Sequence, residues 1–233
     1  MAEVHHVLSR GVDKRKIFMD DKDRFRFIHD LFEFNDQAPA ENVLYHLRRP
    51  SIDVGHRYDA DVRRRNINRP PRKILVNLYA FCLMPNHYHL LLSPFVENGI
   101  SLFMKKLNGG YAKYFNQKYK RTGTLFEGRF KSVLTENHAH FIHLPYYIHL
   151  NPLDLIAPEW RKRKTEDYKK AIEFLDSYRW SSHLDYTGQS NFPSVTQRDF
   201  LLEIFGGEEQ YKKLIGNWLA DCKEARIRDI TLE

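Results

Sequence analysis

Length, composition and charge narrow the class of protein before any motif is considered. The chain has 233 residues, 42% of them hydrophobic, which is enough to bury a sizeable core in one large domain or in one domain with an appendage. It shows no run of 18 apolar residues and no N-terminal signal pattern, so we expect a soluble, cytoplasmic protein. Cys82 and Cys222 are too few for a disulfide framework, and we expect both to be buried thiols.

The net charge of +7 points to a polyanionic partner, and most of the excess lies in one segment. Between Arg48 and Lys73 there are nine Lys or Arg side chains and three Asp, a net charge of +6. Such side chains can contact phosphates and release counterions on binding. The segment has little apolar periodicity, so a solvated, disordered loop is the alternative interpretation.

The predicted elements begin with a short strand at 4–11 and a helix that Asp20 caps and that runs to about Asn35. Residues 73–83 and 87–92 are rich in Val, Ile, Leu and Tyr, with Met84-Pro85-Asn86 between them. This pattern predicts an antiparallel hairpin.

A helix is predicted from Ile100 to about Tyr119, with apolar residues at helical spacing. Gly109 and Gly110 in its middle each cost about 1 kcal/mol relative to Ala, so packing must hold this helix. After a turn at Thr122-Gly123, the alternation in TLFEGRFKSVL predicts one long strand with a charged face (Leu125, Glu127, Arg129, Lys131) and an apolar face (Phe126, Gly128, Phe130). Arg129 and Lys131 would then point the same way and could bind one phosphate together, although a solvated edge strand would show the same pattern.

The stretch NHAHFIHLPYYIHLN predicts another helix over about 137–151. Phe141, Leu144, Pro145 and Ile148 would form its core face, and a second face would carry His140, His143, Tyr147 and Asn151. Pro145 predicts a kink or a late helix start at that residue. The remainder of the chain is predicted to form helices joined by loops.

His87 and His89 are separated by one residue within LYAFCLMPNHYHLLLSP, and this spacing places both side chains on one face of a strand. Neutral imidazoles bind divalent metals, but two incidental polar residues on a solvated face would have the same spacing. A third ligand would have to come from elsewhere, and Asn151 is an oxygen donor one helical turn after Tyr147. On its own, this Y-x-x-x-N pattern is also that of a buried structural tyrosine.

In combination and in this order, these motifs resemble a known family. MPNHYHLLL resembles the His-hydrophobic-His signature of the single-tyrosine HUH transposases, and YIHLNPL resembles the end of their tyrosine helix. NGGYAKYFNQKYKRTGTLFEGRFKS resembles their helix–turn–strand, and YRWSSHLDYTG a downstream motif of the REP-associated tyrosine transposases. The resemblance covers roughly residues 4–220, and it departs from the pattern at Pro145 and at the long basic segment 48–73.

The resemblance implies an α+β fold, a ferredoxin-like antiparallel sheet with helices packed on it and a helical C-terminal extension. We therefore expect a catalytic domain over residues 1–155, with a basic insertion at 48–73, and the extension over residues 156–233. A protein of this family is expected to be cytoplasmic and nucleoid-associated, and to act as a monomer or a homodimer.

The resemblance also implies a transposase that uses Mg²⁺ or Mn²⁺ to cleave and rejoin single-stranded DNA at hairpin-forming repeats. His87, His89 and Asn151 would be the metal ligands, and Tyr147 the nucleophile that leaves a 5′-phosphotyrosine and a free 3′-OH. The implied DNA contacts are Arg129, Lys131, Lys105, Lys106, Arg63, Arg64 and Arg65. A catalytically silent hairpin-DNA-binding protein of the same fold, and a replication-initiator relaxase of the same chemistry, are the alternatives.

These assignments predict a geometry. His87 and His89 should face the same cleft as Tyr147, whereas Tyr88 should point to the opposite face, into the core. Tyr146 lies about 100° away from Tyr147 around the helix, which favours Tyr147 as the nucleophile.

Overall fold

The computed structural model describes residues 3–39, 71–135, 138–162 and 167–220, and the statements below concern these residues. Arg63, Arg64, Arg65 and Cys222 lie outside them, as does most of the basic segment 48–73. The predictions made for these residues are therefore not addressed by the structure.

The described chain alternates strands and helices in its first half and is helical in its second half. The elements are β1 (His5–Arg10), α1 (Asp21–Glu33), β2 (Val76–Met84), β3 (His87–Pro94), α2 (Gly99–Lys118), β4 (Lys131–Leu134), α3 (His138–Leu150), α4 (Tyr168–Ser177), α5 (His183–Tyr186), α6 (Asp199–Phe205) and α7 (Glu208–Ala220). Short 3₁₀ helices lie at Val12–Lys14, Asn151–Leu155 and Pro158–Lys162.

The four strands form one sheet in the order β2-β3-β1-β4, and each neighbouring pair is antiparallel. The chain order β1-α1-β2-β3-α2-β4 with this strand order is the ferredoxin-like arrangement. The predicted α+β fold is therefore confirmed, and so is the helical character of the C-terminal part.

The two faces of the sheet are covered by different helices. On one face, Val7, Tyr88 and Leu90 pack with residues of α1 and α2. On the other face, Ala80 and Leu91 pack with α3 and with helices of the C-terminal extension, which share one apolar core with them. The extension also lies along the edge of β2, where the amide of Leu83 donates to the Trp180 carbonyl and that of Ser182 to the Phe81 carbonyl.

Several predicted elements are confirmed at close to their predicted bounds. Asp20 caps α1 through a reciprocal capping box with Asp23, in which each side chain accepts from the other residue's backbone amide. The predicted hairpin is present as β2 and β3, joined at Pro85-Asn86. Cys82 is a buried thiol, as expected.

The single long strand predicted for TLFEGRFKSVL is wrong, because only Lys131–Leu134 is a strand. Gly128 adopts a left-handed backbone with φ of 66°, which interrupts any extended run. The predicted alternation fails as well, since Leu125 and Phe126 are both buried. Arg129 therefore lies before the strand and does not share a strand face with Lys131.

The helix predicted over about 137–151 is present as α3, and of the two alternatives predicted at Pro145, a kink or a late start, the late start is wrong, because the helix begins at His138 and contains Pro145 in its interior. Pro145 has no amide hydrogen to donate, which weakens a helix at this point. Residues 144–151 are buried nearly all round rather than on one face, since both the sheet and the C-terminal extension pack on them. Burial of this kind supplies the stabilisation that the proline removes.

The paired glycines of α2 provide a test of the packing between α1 and α2. A Cβ at Gly110 would lie 2.4 Å from a ring carbon of the buried Phe34, whereas a Cβ at Gly109 would meet no atom within 4 Å. We expect Gly110→Ala to lower the free energy of unfolding by about 1–3 kcal/mol through overpacking. Gly109→Ala should raise it by about 0.5–1 kcal/mol through helix propensity. Urea denaturation measures both, and effects of equal sign would contradict the packing described.

Candidate active site

His87 and His89 lie on β3, and both side chains are buried on the sheet face that α3 covers. Their rings meet edge to face with centroids 4.9 Å apart. In the antiparallel register, Leu8 of β1 stands opposite His89 and Arg10 opposite His87. Because directly opposed residues share a face, Arg10 and the histidines belong to the same surface of the sheet.

Asn86 fixes the tautomer of His87. The Asn86 amide nitrogen donates to the Lys14 carbonyl at 3.2 Å, which turns its Oδ1 toward His87 Nδ1 at 2.7 Å. Since Oδ1 can only accept, Nδ1 of His87 must carry the hydrogen. The lone pair of a neutral His87 is therefore on Nε2, the nitrogen available for a metal.

His89 has a second histidine as its partner. Its Nδ1 lies 2.8 Å from Nε2 of His6, and the two rings stack with centroids 5.1 Å apart. Both residues are buried. One of these nitrogens donates and the other accepts, so the tautomers of His6 and His89 are coupled.

Helix α3 brings Tyr147 to these rings. The Tyr147 ring stands edge to face against His89 and His6, with centroid distances of 5.8 and 5.9 Å. Tyr88 points to the other face, where its hydroxyl donates to Asn108 of α2, and burial raises its pKa well above the ordinary value. The structure thus places the side chains as predicted, with Tyr147 beside His89 and Tyr88 in the core.

The tyrosine end of the site is a polar network around Arg161. Arg161 Nη1 donates to the Tyr147 hydroxyl and Nη2 to the Asn151 carboxamide oxygen, each at 2.9 Å. Nε donates to Asp154 at 2.8 Å, and Nη2 to the second carboxylate oxygen at 2.5 Å. Asn151 Nδ2 donates to the Tyr147 carbonyl at 2.8 Å, which ties the 3₁₀ turn to the end of α3.

A buried histidine anchors α3 to the rest of the fold. His149 Nδ1 lies 2.5 Å from the Tyr211 hydroxyl of α7, and its Nε2 lies 2.7 Å from Ser182 Oγ. Ser182 Oγ in turn accepts from the Phe81 amide of β2 at 2.9 Å. Burial, assisted by the nearby His183, lowers the pKa of His149 well below its ordinary value, so the ring is neutral.

The edge strand β4 adds a basic side chain to the histidine face. Lys131 stands opposite Leu8, which stands opposite His89, so the three residues form a row across the sheet. Two strand spacings separate Lys131 from His89, about 10 Å. Arg129 is exposed just before the strand, two residues after Glu127, whose amide donates to the Arg10 carbonyl.

Lys105 and Lys106 are not part of this surface. Both lie on α2, which covers the opposite face of the sheet. Lys105 is exposed, whereas the Lys106 ammonium donates to the carbonyls of Asp36 and Ala38 after the end of α1. Burial lowers the pKa of Lys106. A DNA contact through either lysine stays a prediction.

Sequence reasoning missed three residues of this site, His6, Arg10 and Arg161. In the predicted first strand, His6 and Arg10 are an even number of positions apart and therefore lie on one face. The sequence does not show that this strand pairs with the one that carries His87 and His89. Arg161 opens the run RKRK, which has the appearance of a solvated basic patch. Among the described residues, no group of three or more His, Cys, Asp or Glu is placed so that it could hold a metal ion.

Comparisons with known proteins agree with the resemblance seen in the sequence. The family model described as "Transposase IS200 like" matches residues 60–151, the region that contains His87, His89, Tyr147 and Asn151. The match confirms the resemblance to single-tyrosine transposases, over fewer than half of the 233 residues. No curated protein matches the chain.

A solved structure of a REP-associated tyrosine transposase bound to a REP hairpin is similar to this chain at 11% identity, with a TM-score of 0.47. The alignment covers 83% of this chain and 84% of that one.

Among the helices described above, none combines the length and the apolar character needed to cross a bilayer.

The anchor of α3 can be tested through Ser182. Ser182→Ala removes the acceptor of the Phe81 amide and the partner of His149 Nε2, both of them buried. We expect the free energy of unfolding to fall by about 1–3 kcal/mol. The matched control is Ser177→Ala, whose hydroxyl is on the surface, with an expected change within about 0.5 kcal/mol. Equal denaturation midpoints for the two variants would contradict the role of Ser182 as an anchor.

Proposed function

We propose that the protein is a transposase that cleaves and rejoins single-stranded DNA at hairpin-forming repeats through a covalent phosphotyrosine. The observation that carries this proposal is the placement of the Tyr147 ring against His89, on the sheet face that also holds His87. The family match supports the same reaction, and the solved structure named above is of a REP-associated tyrosine transposase with its hairpin.

The residues present fit a divalent cation, Mg²⁺ or Mn²⁺, at the histidine pair. The hydrogen bond from His87 Nδ1 to Asn86 leaves Nε2 as the donor of a lone pair. His89 offers Nε2 in the same way when its Nδ1 donates to His6. Asn151 is the proposed third ligand, since a carboxamide oxygen has two lone pairs and Arg161 uses one of them. When bound, the cation polarises the scissile phosphate and absorbs charge in the transition state.

Tyr147 supplies the nucleophile in this proposal. Its hydroxyl oxygen forms a bond to phosphorus while the bond between phosphorus and the 3′ oxygen breaks. The phenolic proton leaves the tyrosine, and a proton is taken up by the departing 3′ oxygen, so the products are a 5′-phosphotyrosine and a free 3′-OH. Attack by a 3′-OH of another strand reverses the step, and joining therefore needs no external energy source.

The DNA contacts that we propose follow from the same face. Lys131 stands in the row of His89, and Arg10 in the row of His87. Arg129 is exposed two residues after Glu127, whose amide bonds to the Arg10 carbonyl. A strand whose phosphates run from the histidines toward β4 would meet these cations in succession, and a loss of affinity with rising salt should accompany binding.

A catalytically silent DNA-binding protein of the same fold is the second candidate. The observation in its favour is the burial of Tyr147, whose side chain must become accessible to a phosphate for chemistry. Both candidates predict binding to hairpin DNA, and they differ in whether a covalent product forms.

Formation of a covalent adduct separates the two candidates. The full chain is incubated with labelled single-stranded DNA that carries a hairpin, in the presence of Mn²⁺ or Mg²⁺. We expect a protein–DNA adduct that survives denaturing electrophoresis and that Tyr147→Phe abolishes. Tyr146→Phe is the matched control, because the neighbouring Tyr146 packs on Phe205 and Tyr211 away from the histidines. Tight binding by the unaltered protein without any adduct would favour the silent candidate.

The pairing of His6 with His89 predicts an effect on metal affinity. His6→Phe keeps a ring in the stack but removes the acceptor that holds the hydrogen on His89 Nδ1. We expect the Mn²⁺ affinity, measured by electron paramagnetic resonance titration, to fall about 10–100-fold. His5→Phe is the control, since His5 lies on the opposite face of β1 and bonds to Ser132. If both variants bind Mn²⁺ as the unaltered protein does, His6 does not set the tautomer of His89.

A further inference from the structure

Arg161 occupies a central position in the site and lies ten residues beyond the last residue matched by the family model. Its guanidinium bonds to Tyr147 Oη, to the Asn151 carboxamide and to Asp154. The guanidinium also lies 5.3 Å from the centroid of the Tyr147 ring and 5.2 Å from that of Trp160. Three donors of one rigid group are thus directed at the nucleophile, at a proposed metal ligand and at a carboxylate.

We propose that Arg161 is a catalytic residue of the strand transfer, with its Nη1 as the donor that holds Tyr147 Oη during attack and during release. This inference rests on the proposed function. An arginine donor suits both directions of the reaction, because the phenolic oxygen carries negative charge once it has lost its proton to attack, and again when it departs as the leaving group. A fixed donor aimed at that oxygen needs no reorganisation at the moment of reaction.

Asp154 positions the guanidinium for this role. Its two carboxylate oxygens take hydrogen bonds from Nε and Nη2, the side-on fork that fixes an arginine plane. The carboxylate also accepts from the indole nitrogen of Trp160 at 2.6 Å. Nη1 is then left directed toward Tyr147. Both charged side chains are about three-quarters buried, which strengthens the hydrogen bonds compared with a pair in water.

The geometry explains why lysine would not replace this arginine. An ammonium is a point donor on a flexible stem, whereas the guanidinium presents its donors in one plane at fixed angles. Asp154, Asn151 and Tyr147 Oη each take a bond from a defined edge of that plane. A lysine at position 161 would lose the simultaneous contacts even though it keeps the charge.

The test uses the full chain and separates chemistry from binding. The single-turnover rate of adduct formation is measured with saturating enzyme, and hairpin affinity is measured without divalent metal. For Arg161→Ala we expect the rate of adduct formation to fall about 100–1,000-fold, with methylguanidinium in the buffer restoring part of it. For Arg161→Lys the rate of adduct formation should fall at least tenfold. The hairpin affinity of both variants should stay within threefold of that of the unaltered protein. The reverse reaction, joining of a purified adduct to a 3′-OH strand, should slow by a similar factor.

Arg179→Ala and Arg179→Lys are the matched controls. The Arg179 guanidinium packs over the rings of Phe25, Trp180 and Phe192, so these changes remove a stacked arginine that does not touch Tyr147.

A rate of adduct formation in Arg161→Ala within threefold of that of the unaltered protein would overturn the proposal. So would a slow rate that methylguanidinium does not raise, since that marks a structural role. If Arg161→Ala does not fold, the test rests on Arg161→Lys, and an unchanged rate of adduct formation in that variant would overturn the proposal. Absence of any adduct with the unaltered protein would instead refute the proposed function itself.

Discussion

The pairing register of β1 with β3 is the constraint on which the rest of the site depends. Leu8 stands opposite His89, and this single alignment places His6, Arg10 and the histidine pair on one face of the sheet. Because β3 is also paired with β2, a slip of β1 by one residue would leave the histidine pair in place and turn His6 and Arg10 toward α2, since side chains alternate between faces. The register is fixed from the opposite face, where Tyr88 and its apolar neighbours pack into the core with α1 and α2. Core packing on one side therefore sets the chemistry on the other.

The C-terminal extension provides the second constraint, because it covers the helix that carries Tyr147. His149 is held between Tyr211 and Ser182, and Tyr146 packs on Phe205. An open ferredoxin-like sheet would leave this face in solvent and the tyrosine helix held on one side only. Here the helix is enclosed, which explains how it tolerates an interior proline.

The parts of the site that could be predicted from the sequence are those set by local periodicity. The period of two in β3 was sufficient to place His87 and His89 together and Tyr88 opposite them. Local periodicity could not exclude the long strand predicted over 124–134, because the sequence does alternate between charged and apolar residues there. The strand is prevented by the left-handed backbone of Gly128 and by the burial of both Leu125 and Phe126. His6 and Arg161 depend on contacts 83 and 14 residues apart in the chain, and no local pattern carries that information.

The charges of the site follow from how its two ends are built. At the histidine end, the hydrogen bond from Nδ1 to Asn86 leaves Nε2 of a neutral His87 as the nitrogen that carries the lone pair. At the tyrosine end, Arg161 is matched by Asp154, so this partly buried pair adds no net charge. In the proposed function, a cation at the histidines would meet no uncompensated positive charge from Arg161, and the phosphate would not have to compensate a buried guanidinium. In the proposed function, the attraction for the DNA backbone would come from Lys131 and Arg129, whose exposed side chains cost little to desolvate.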